Sequence, residues 1–209
     1  MALIERAKGA IIRLRNKILI HHERSLLKAQ DFSILSQNCI GGVFYHDMGM
    51  QFKSPTINLY FKCPDFVKFI LNLDYYLSLE MKVTQGPEFP IGRLDDIEIY
   101  FQHYASCEEA KNKWEERKRR INKEKIVVLC TDRDEFSEET YVEWEKIPYP
   151  KLLYSATYRN DQEVLFYPEY NCSGRVGDLI PTREFYKNHY LIETINRAES
   201  SNLFGYKEK

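Results

Sequence analysis

The run from Asp96 to Cys130 limits what this chain can fold into more than any other segment. Ile97, Ile99 and Phe101 alternate with Glu98, Tyr100 and Gln102, the period-two pattern of a strand. Ser106-Cys-Glu-Glu109 has capping-box spacing, and Ala110, Trp114 and Ile121 mark the buried face of the helix that follows. Lys125–Cys130 is then a strand with no polar side (Ile-Val-Val-Leu-Cys). Two strands joined through a helix predict a right-handed parallel crossover. A parallel sheet in turn needs helices on both of its faces.

The rest of the chain extends that pattern. Strands are predicted over 32–37, 57–61, 151–155 and, at an edge, 163–167. Helices are predicted over 64–81, where Phe66, Phe69, Ile70, Leu73 and Leu77 form one face, and over 138–146 and 182–197. Gln85–Pro90 reads as a loop. The expectation is a three-layer α/β domain over residues 31–209 with a mainly parallel sheet. Hydrophobic residues make up 44% and charged residues 29%, which excludes a disordered chain.

Residues 2–29 read as one amphipathic helix, with Leu3, Ala7, Ile11, Leu14 and Ile18 as its stripe. Residues 1–30 hold seven Lys or Arg and two Glu, a net charge of +5, so the remainder carries −6. Two readings stand: the helix lies on an anionic membrane surface, or it packs on its own domain or on a second copy in a homo-oligomer. Its apolar residues are broken by Arg13, Arg15, Asn16 and Lys17, so it reads neither as a signal peptide nor as a membrane span. The five cysteines form no CxxC pair and no zinc spacing, and read as the reduced thiols of a cytoplasmic protein. The domain is not basic overall, which argues against nucleic acid. Fifteen tyrosines suit half-buried strands, or a groove for sugar rings or bases.

In open parallel sheets, ligands bind beyond the carboxyl ends of the strands. That rule brings together Asn38-Cys39, His103-Tyr104, Thr131-Asp132, Ser155 and Thr157. His103 is a candidate general base, and Asp132 is the acid expected beside it. Cys39 is either a nucleophile or a small packed residue. Asn38 with the amides of Gly41 and Gly42 is a candidate oxyanion or phosphate pocket. Arg117-Lys-Arg-Arg120 is either a phosphate grip, led by Arg117 and Arg120, or a solvated face paired with Glu108, Glu109, Glu115 and Glu116. No GxSxG, Walker loop or GxGxxG occurs, and no two carboxylates have a spacing that speaks for glycoside hydrolysis.

One set of motifs resembles a known family. It comprises Ser36-Gln-Asn-Cys-Ile-Gly-Gly42, Ser54-Pro-Thr56, Phe89-Pro-Ile-Gly92, Asp96-Ile-Glu-Ile-Tyr-Phe-Gln-His-Tyr104, then Glu109-Ala110 with Trp114, Arg117, Arg120, Ile121 and Asn122, and finally Arg175-Val-Gly-Asp-Leu-Ile-Pro181 before Phe185-Tyr186. Together they resemble a bacterial domain family of unknown function, across about residues 31–197. Its members are labelled exopolysaccharide or capsular polysaccharide biosynthesis proteins, some of them acetyltransferases. This chain has Gln37 and Ile40 where the pattern has Asn and an aromatic residue.

The resemblance implies a Rossmann-like fold and a role in polysaccharide assembly. The expected function is O-acetyl transfer from acetyl-coenzyme A to a saccharide or lipid-linked saccharide. His103 would then be the base, Asp132 its helper, Asn38 the oxyanion donor and Cys39 the alternative acyl carrier. A glycosyl- or phosphotransferase of the same pathway and a non-catalytic assembly partner are the alternatives. The expected location is the cytoplasm, at the inner face of the membrane, with no metal.

Overall fold

The computed structural model describes residues 2–200, which form an α/β unit around a four-stranded parallel sheet. Its strands are β1 (Ser33–Ser36), β5 (Ile126–Thr131), β6 (Lys151–Ser155) and β7 (Val164–Phe166), in the order β1-β5-β6-β7. All three pairings are parallel, and β1 and β7 are the edges. β5 is buried at all six positions, as its unbroken apolar run requires.

Alternate residues of these strands feed two separate cores. Leu35, Val128, Cys130 and Leu153 point to one face and pack with α3 (Cys63–Leu71), α4 (Leu73–Ser78), Trp114 of α5 (Cys107–Lys118) and Trp144 of α6 (Glu138–Glu145). Ile34, Val127, Leu129, Leu152 and Tyr154 point to the other and pack with α2 (Ile40–Met48) and α7 (Tyr190–Ser200). The sheet is therefore sandwiched, as the sequence predicts.

The strand–helix–strand unit is different from its prediction. The segment expected to join the parallel sheet is β4 (Ile97–Tyr100), and it pairs antiparallel with β3 (Pro90–Leu94). β3 pairs antiparallel with β2 (Lys82–Gln85), giving a separate three-stranded sheet; β2 and β3 lie on residues for which no strand was expected, and only Gln85 and Pro90 of them fall in the expected loop. The physical reason lies in the alternation itself: a strand with one polar side suits a sheet with one solvated face, which is the antiparallel habit. The neighbour of β5 in the main sheet is β1, not β4.

Smaller differences are local. Asn72 splits the predicted 64–81 helix into α3 and α4. The expected strand over 57–61 is reduced to a single bridge between Tyr60 and Tyr100. The predicted 182–197 helix begins as a kinked 3-10 stretch (Glu184–His189) and becomes α7 only at Tyr190. A short hairpin of β8 (Asn171–Cys172) and β9 (Arg175–Val176) lies between.

The long N-terminal helix is α1 (Ala2–Leu26). Its second half is tied to the domain. Arg24 donates to the Asp47 carbonyl at 2.6 Å, Asn16 to the Pro181 carbonyl at 2.8 Å, and Asn196 to the Leu26 carbonyl at 2.9 Å. Buried Glu23 meets His189 at 2.6 Å. Among the described residues, no helix is long and apolar enough to cross a membrane.

Candidate functional site

β1 ends where the chain must leave a fully buried strand and start a helix. Gln37, the first residue past the strand, is buried, and its side chain organises this corner. Its amide nitrogen donates to the Phe61 carbonyl at 2.7 Å and to Asp134 at 2.8 Å. Its oxygen accepts from Thr131 at 2.9 Å and from Asn38 at 3.0 Å. The network locks the end of β1 to the end of β5.

Asn38 belongs to the same network. Its two amide hydrogens go to Gln37 and to Thr131 Oγ1 (3.2 Å), and its oxygen accepts from the Ile40 amide at 3.1 Å. Both donors are thus engaged within the protein, where the sequence reading expected an oxyanion donor. Gly41 and Gly42 lie in the first turn of α2. The Gly41 amide is engaged by Ser36 Oγ at 3.2 Å. A Cβ at Gly41 would stand 2.8 Å from the Ser36 Cβ, and one at Gly42 would stand 3.2 Å from Asn58 Oδ1. Close packing of α2 on β1 and on the 58 loop accounts for both glycines.

Beyond the ends of β1 and β5 lies a cavity of about 920 Å³. Asn38, Cys39, Asn58, Tyr60, Glu88, Phe89, Gln102, His103, Thr131, Arg133, Asp134 and Asp178 line it. Segments far apart in sequence meet there, as the strand-end rule requires. His103 reaches it from the antiparallel sheet, on a turn after β4, with its side chain exposed. Among the described residues His103 has no hydrogen-bond partner.

Cys39 is half-buried, and its sulfur accepts a hydrogen bond from Gln102 at 3.3 Å. Burial pushes its thiol up, against the pull of Gln102, so it is a thiol at neutral pH. That fits a packed residue better than a nucleophile. Gln102 keeps a second amide hydrogen for the cavity.

Asp132 does not meet His103. It is buried, and its carboxylate accepts from Ser155 Oγ (2.8 Å), the Ala156 amide (2.8 Å) and the Val176 amide (2.6 Å). It pins two loops rather than orienting a base, because β4 is not the neighbour of β5. Arg117 and Arg120 also point elsewhere. Arg117 is buried, donates to Tyr104 Oη at 2.6 Å and lies over the Phe52 ring. Arg120 is paired with Glu116. Neither lines the cavity.

Several residues of the site escaped the sequence reading. Arg133 is half-buried at the cavity, and among the described residues its guanidinium has no hydrogen-bond or ion-pair partner. Tyr60 stacks on Tyr100 at 4.7 Å with Phe89 edge-on at 6.2 Å, so one wall is aromatic. Asn58, Asp134 and Glu135 all have left-handed backbones, with φ of 58°, 50° and 69°. Such strain costs about 1–3 kcal/mol per residue and gathers at functional sites. The 133–134 turn is held by Cys63, whose amide donates to the Asp134 carbonyl (2.8 Å) and whose thiol meets the Arg133 carbonyl (2.8 Å). A strand end followed by Asp-Arg-Asp-Glu was the available signal. Its left-handed geometry is tertiary and has no sequence signature.

A larger cavity, about 1050 Å³ and no more open than the first, lies at the amino ends of β5, β6 and β7. Several of its cations are already paired: Lys151 with Glu163, Lys187 with Glu169 and Lys123 with Asp74. It lacks placement at the carboxyl ends of the strands, and the left-handed residue in its lining is Asn188.

The model of a family described as a domain of unknown function (DUF1919) matches residues 11–199. The match takes in the second half of α1, which the sequence reading had left outside the domain. An uncharacterized protein of Haemophilus influenzae is 28% identical over 202 residues, covering 93% of this chain and 98% of that protein.

Proposed function

This chain belongs to the DUF1919 family, and on that footing we propose that it is a transferase acting on a sugar hydroxyl in the assembly of a bacterial capsular or extracellular polysaccharide. The observation that carries the reading is the convergence of His103, Gln102 and Arg133 with the Tyr60–Phe89 wall on one cavity at the strand ends. Aromatic faces suit the apolar faces of sugar rings. An unpartnered imidazole at the rim suits proton transfer from a hydroxyl. An unpaired guanidinium suits an anionic group.

The reaction proposed is O-acetyl transfer from acetyl-coenzyme A. His103 takes the hydroxyl proton as the sugar oxygen attacks the thioester carbonyl. The carbon–oxygen bond forms, the carbon–sulfur bond breaks, and the departing thiolate recovers the proton from His103. The spare Gln102 hydrogen serves the oxyanion in place of Asn38. Arg117 and Arg120 do not fit as a coenzyme grip, since both are committed away from the cavity; Arg133 is the cation offered to a donor phosphate. All five cysteines are free thiols, which suits an enzyme on the cytoplasmic side.

Arg133 also favours a second reading, a glycosyl- or phosphotransferase with a nucleotide-linked donor. Thermal-shift measurements with acetyl-coenzyme A, coenzyme A and nucleotide sugars separate the two. Stabilisation by the coenzyme that disappears in Arg133→Ala is expected. Stabilisation by nucleotide sugars alone would replace acetyl transfer with the second reading.

A further inference from the structure

We propose that α1 is a docking surface for a bilayer carrying anionic phospholipid headgroups. The proposal rests on the helix and not on the reaction at the cavity.

The helix has one face spent on the domain and one left over. Ile12, Asn16, Leu19, Ile20 and Glu23 are partly or wholly buried. At 100° per residue the opposite face holds Ile4, Ile11, Leu14 and Ile18 within an arc of about 80°. These four are 61%, 67%, 62% and 65% exposed, four of the most exposed large apolar side chains among the described residues. Ala7 and Ala10 fill the same face. Lone exposed apolar residues mean little, but a continuous row on one helix marks an interaction surface.

The charges choose the occupant. Arg6, Arg13 and Lys17 lie along one edge of the apolar arc, and among the described residues they have no acidic partner; along the other edge Lys8 is paired with Glu5 and Arg15 with Glu184. An apolar stripe flanked by unpaired cations is the form of a helix that lies in a membrane interface.

A second copy of α1 fits worse. Ile4, Ala7, Ile11, Leu14 and Ile18 do follow heptad spacing, but over only about two heptads. The flanking positions that face a partner helix would hold Lys8, Arg15, Lys17 and Arg24 beside Ala10 and His22, with no acid among them, so a self-pair sets like charges together.

The placement of α1 gives docking a consequence. Arg15 donates to the Thr182 carbonyl at 2.9 Å, and Asn16 to that of Pro181. The segment just before these residues, 177–180, is a wall of the cavity. A bilayer under α1 therefore lies beside the cavity, where a lipid-linked acceptor would be presented.

Vesicle co-sedimentation of the full chain tests this. The protein is expected to sediment with vesicles of mixed phosphatidylcholine and phosphatidylglycerol, and to stay in solution with phosphatidylcholine alone. Raising the salt should release the wild-type protein, an arm that needs no variant. Neutralising Arg13 and Lys17 (Arg13→Gln, Lys17→Gln) should weaken binding about fivefold per cation. Ile11→Ser with Ile18→Ser should reduce it more than about tenfold; both sites are exposed, and an unchanged melting temperature verifies folding. Two results would overturn the proposal. One is wild-type protein that ignores the anionic vesicles. The other is a stable dimer in sedimentation equilibrium that Ile11→Ser and Ile18→Ser dissociate, which would make this face a self-association surface.

Discussion

Four hydrogen bonds meet on the Gln37 side chain, two given and two accepted, joining Phe61, Asp134, Thr131 and Asn38. A buried network of this kind is costly to break, because each abandoned partner loses its hydrogen bond without regaining water. Gln37→Leu is expected to cost about 2–4 kcal/mol in urea unfolding. A loss below about 0.5 kcal/mol would mean that the network does not hold the corner. Glu23 gives a second residue-scale expectation. Burial raises its carboxyl above the usual range, and His189 and His22 pull it only partly back. A raised acid binds its proton more tightly folded than unfolded, so its stabilising share is greatest at low pH and falls as pH rises through its folded value. Melting temperatures from about pH 4 to pH 7 should show that decline in the wild type and a shallower one in Glu23→Gln. Parallel profiles would contradict it.

That Asn38, Cys39 and His103 line one cavity was legible because strand-end placement needs only a strand boundary. The place of Asp132 was not, since its partners Ser155, Ala156 and Val176 are set by sheet neighbours. Arg133 and Asp134 were missed because their turn is held by Cys63, about 70 residues away in sequence.

At the scale of elements, α2 shows what two glycines do when they are not a cradle. The sequence reading took the Gly41 and Gly42 amides as part of a ligand pocket, and the two residues instead begin a helix. Gly41 faces the Ser36 Cβ on a buried strand that cannot retreat; Gly42 faces the exposed side chain of Asn58. Gly41→Ala is therefore expected to destabilise by about 1–3 kcal/mol, and Gly42→Ala by clearly less. The reverse order in thermal denaturation would refute the packing account. The strands teach a related lesson. β5 and β4 were both recognised as strands, but their partners were not. The polar alternation of β4 against the apolar run of β5 distinguishes a half-solvated sheet from a buried one, and that contrast was present in the residues. Hairpin β2–β3 was harder to read, because Val83 and Ile91 are too few for a period-two signal and Gln85–Pro90 looks like a loop.

For the whole molecule, the alternating inward residues of one buried sheet dictate two cores, and helices must cover both. That much follows from β1, β5 and β6 alone. The antiparallel sheet then delivers Gln102 and His103 to the carboxyl end of the main sheet, so the cavity is built by two sheets. No pattern within either sheet announces that meeting, which is why His103 was placed beside Asn38 and Cys39 by a parallel pairing that β4 does not make. The basic helix α1 is bonded at Arg15 and Asn16 to Thr182 and Pro181, which follow the 177–180 wall of the cavity.

The central claim is that chemistry on a saccharide takes place at this cavity, with His103 as its base. Its most direct measurement is the NMR composition of the polysaccharide made by cells carrying no copy, the wild type or His103→Ala, with the variant's melting temperature verified first. One O-acetyl substituent is expected to be present with the wild type and absent from both other samples. A polysaccharide fully acetylated with His103→Ala, or unchanged when the protein is removed, would contradict it.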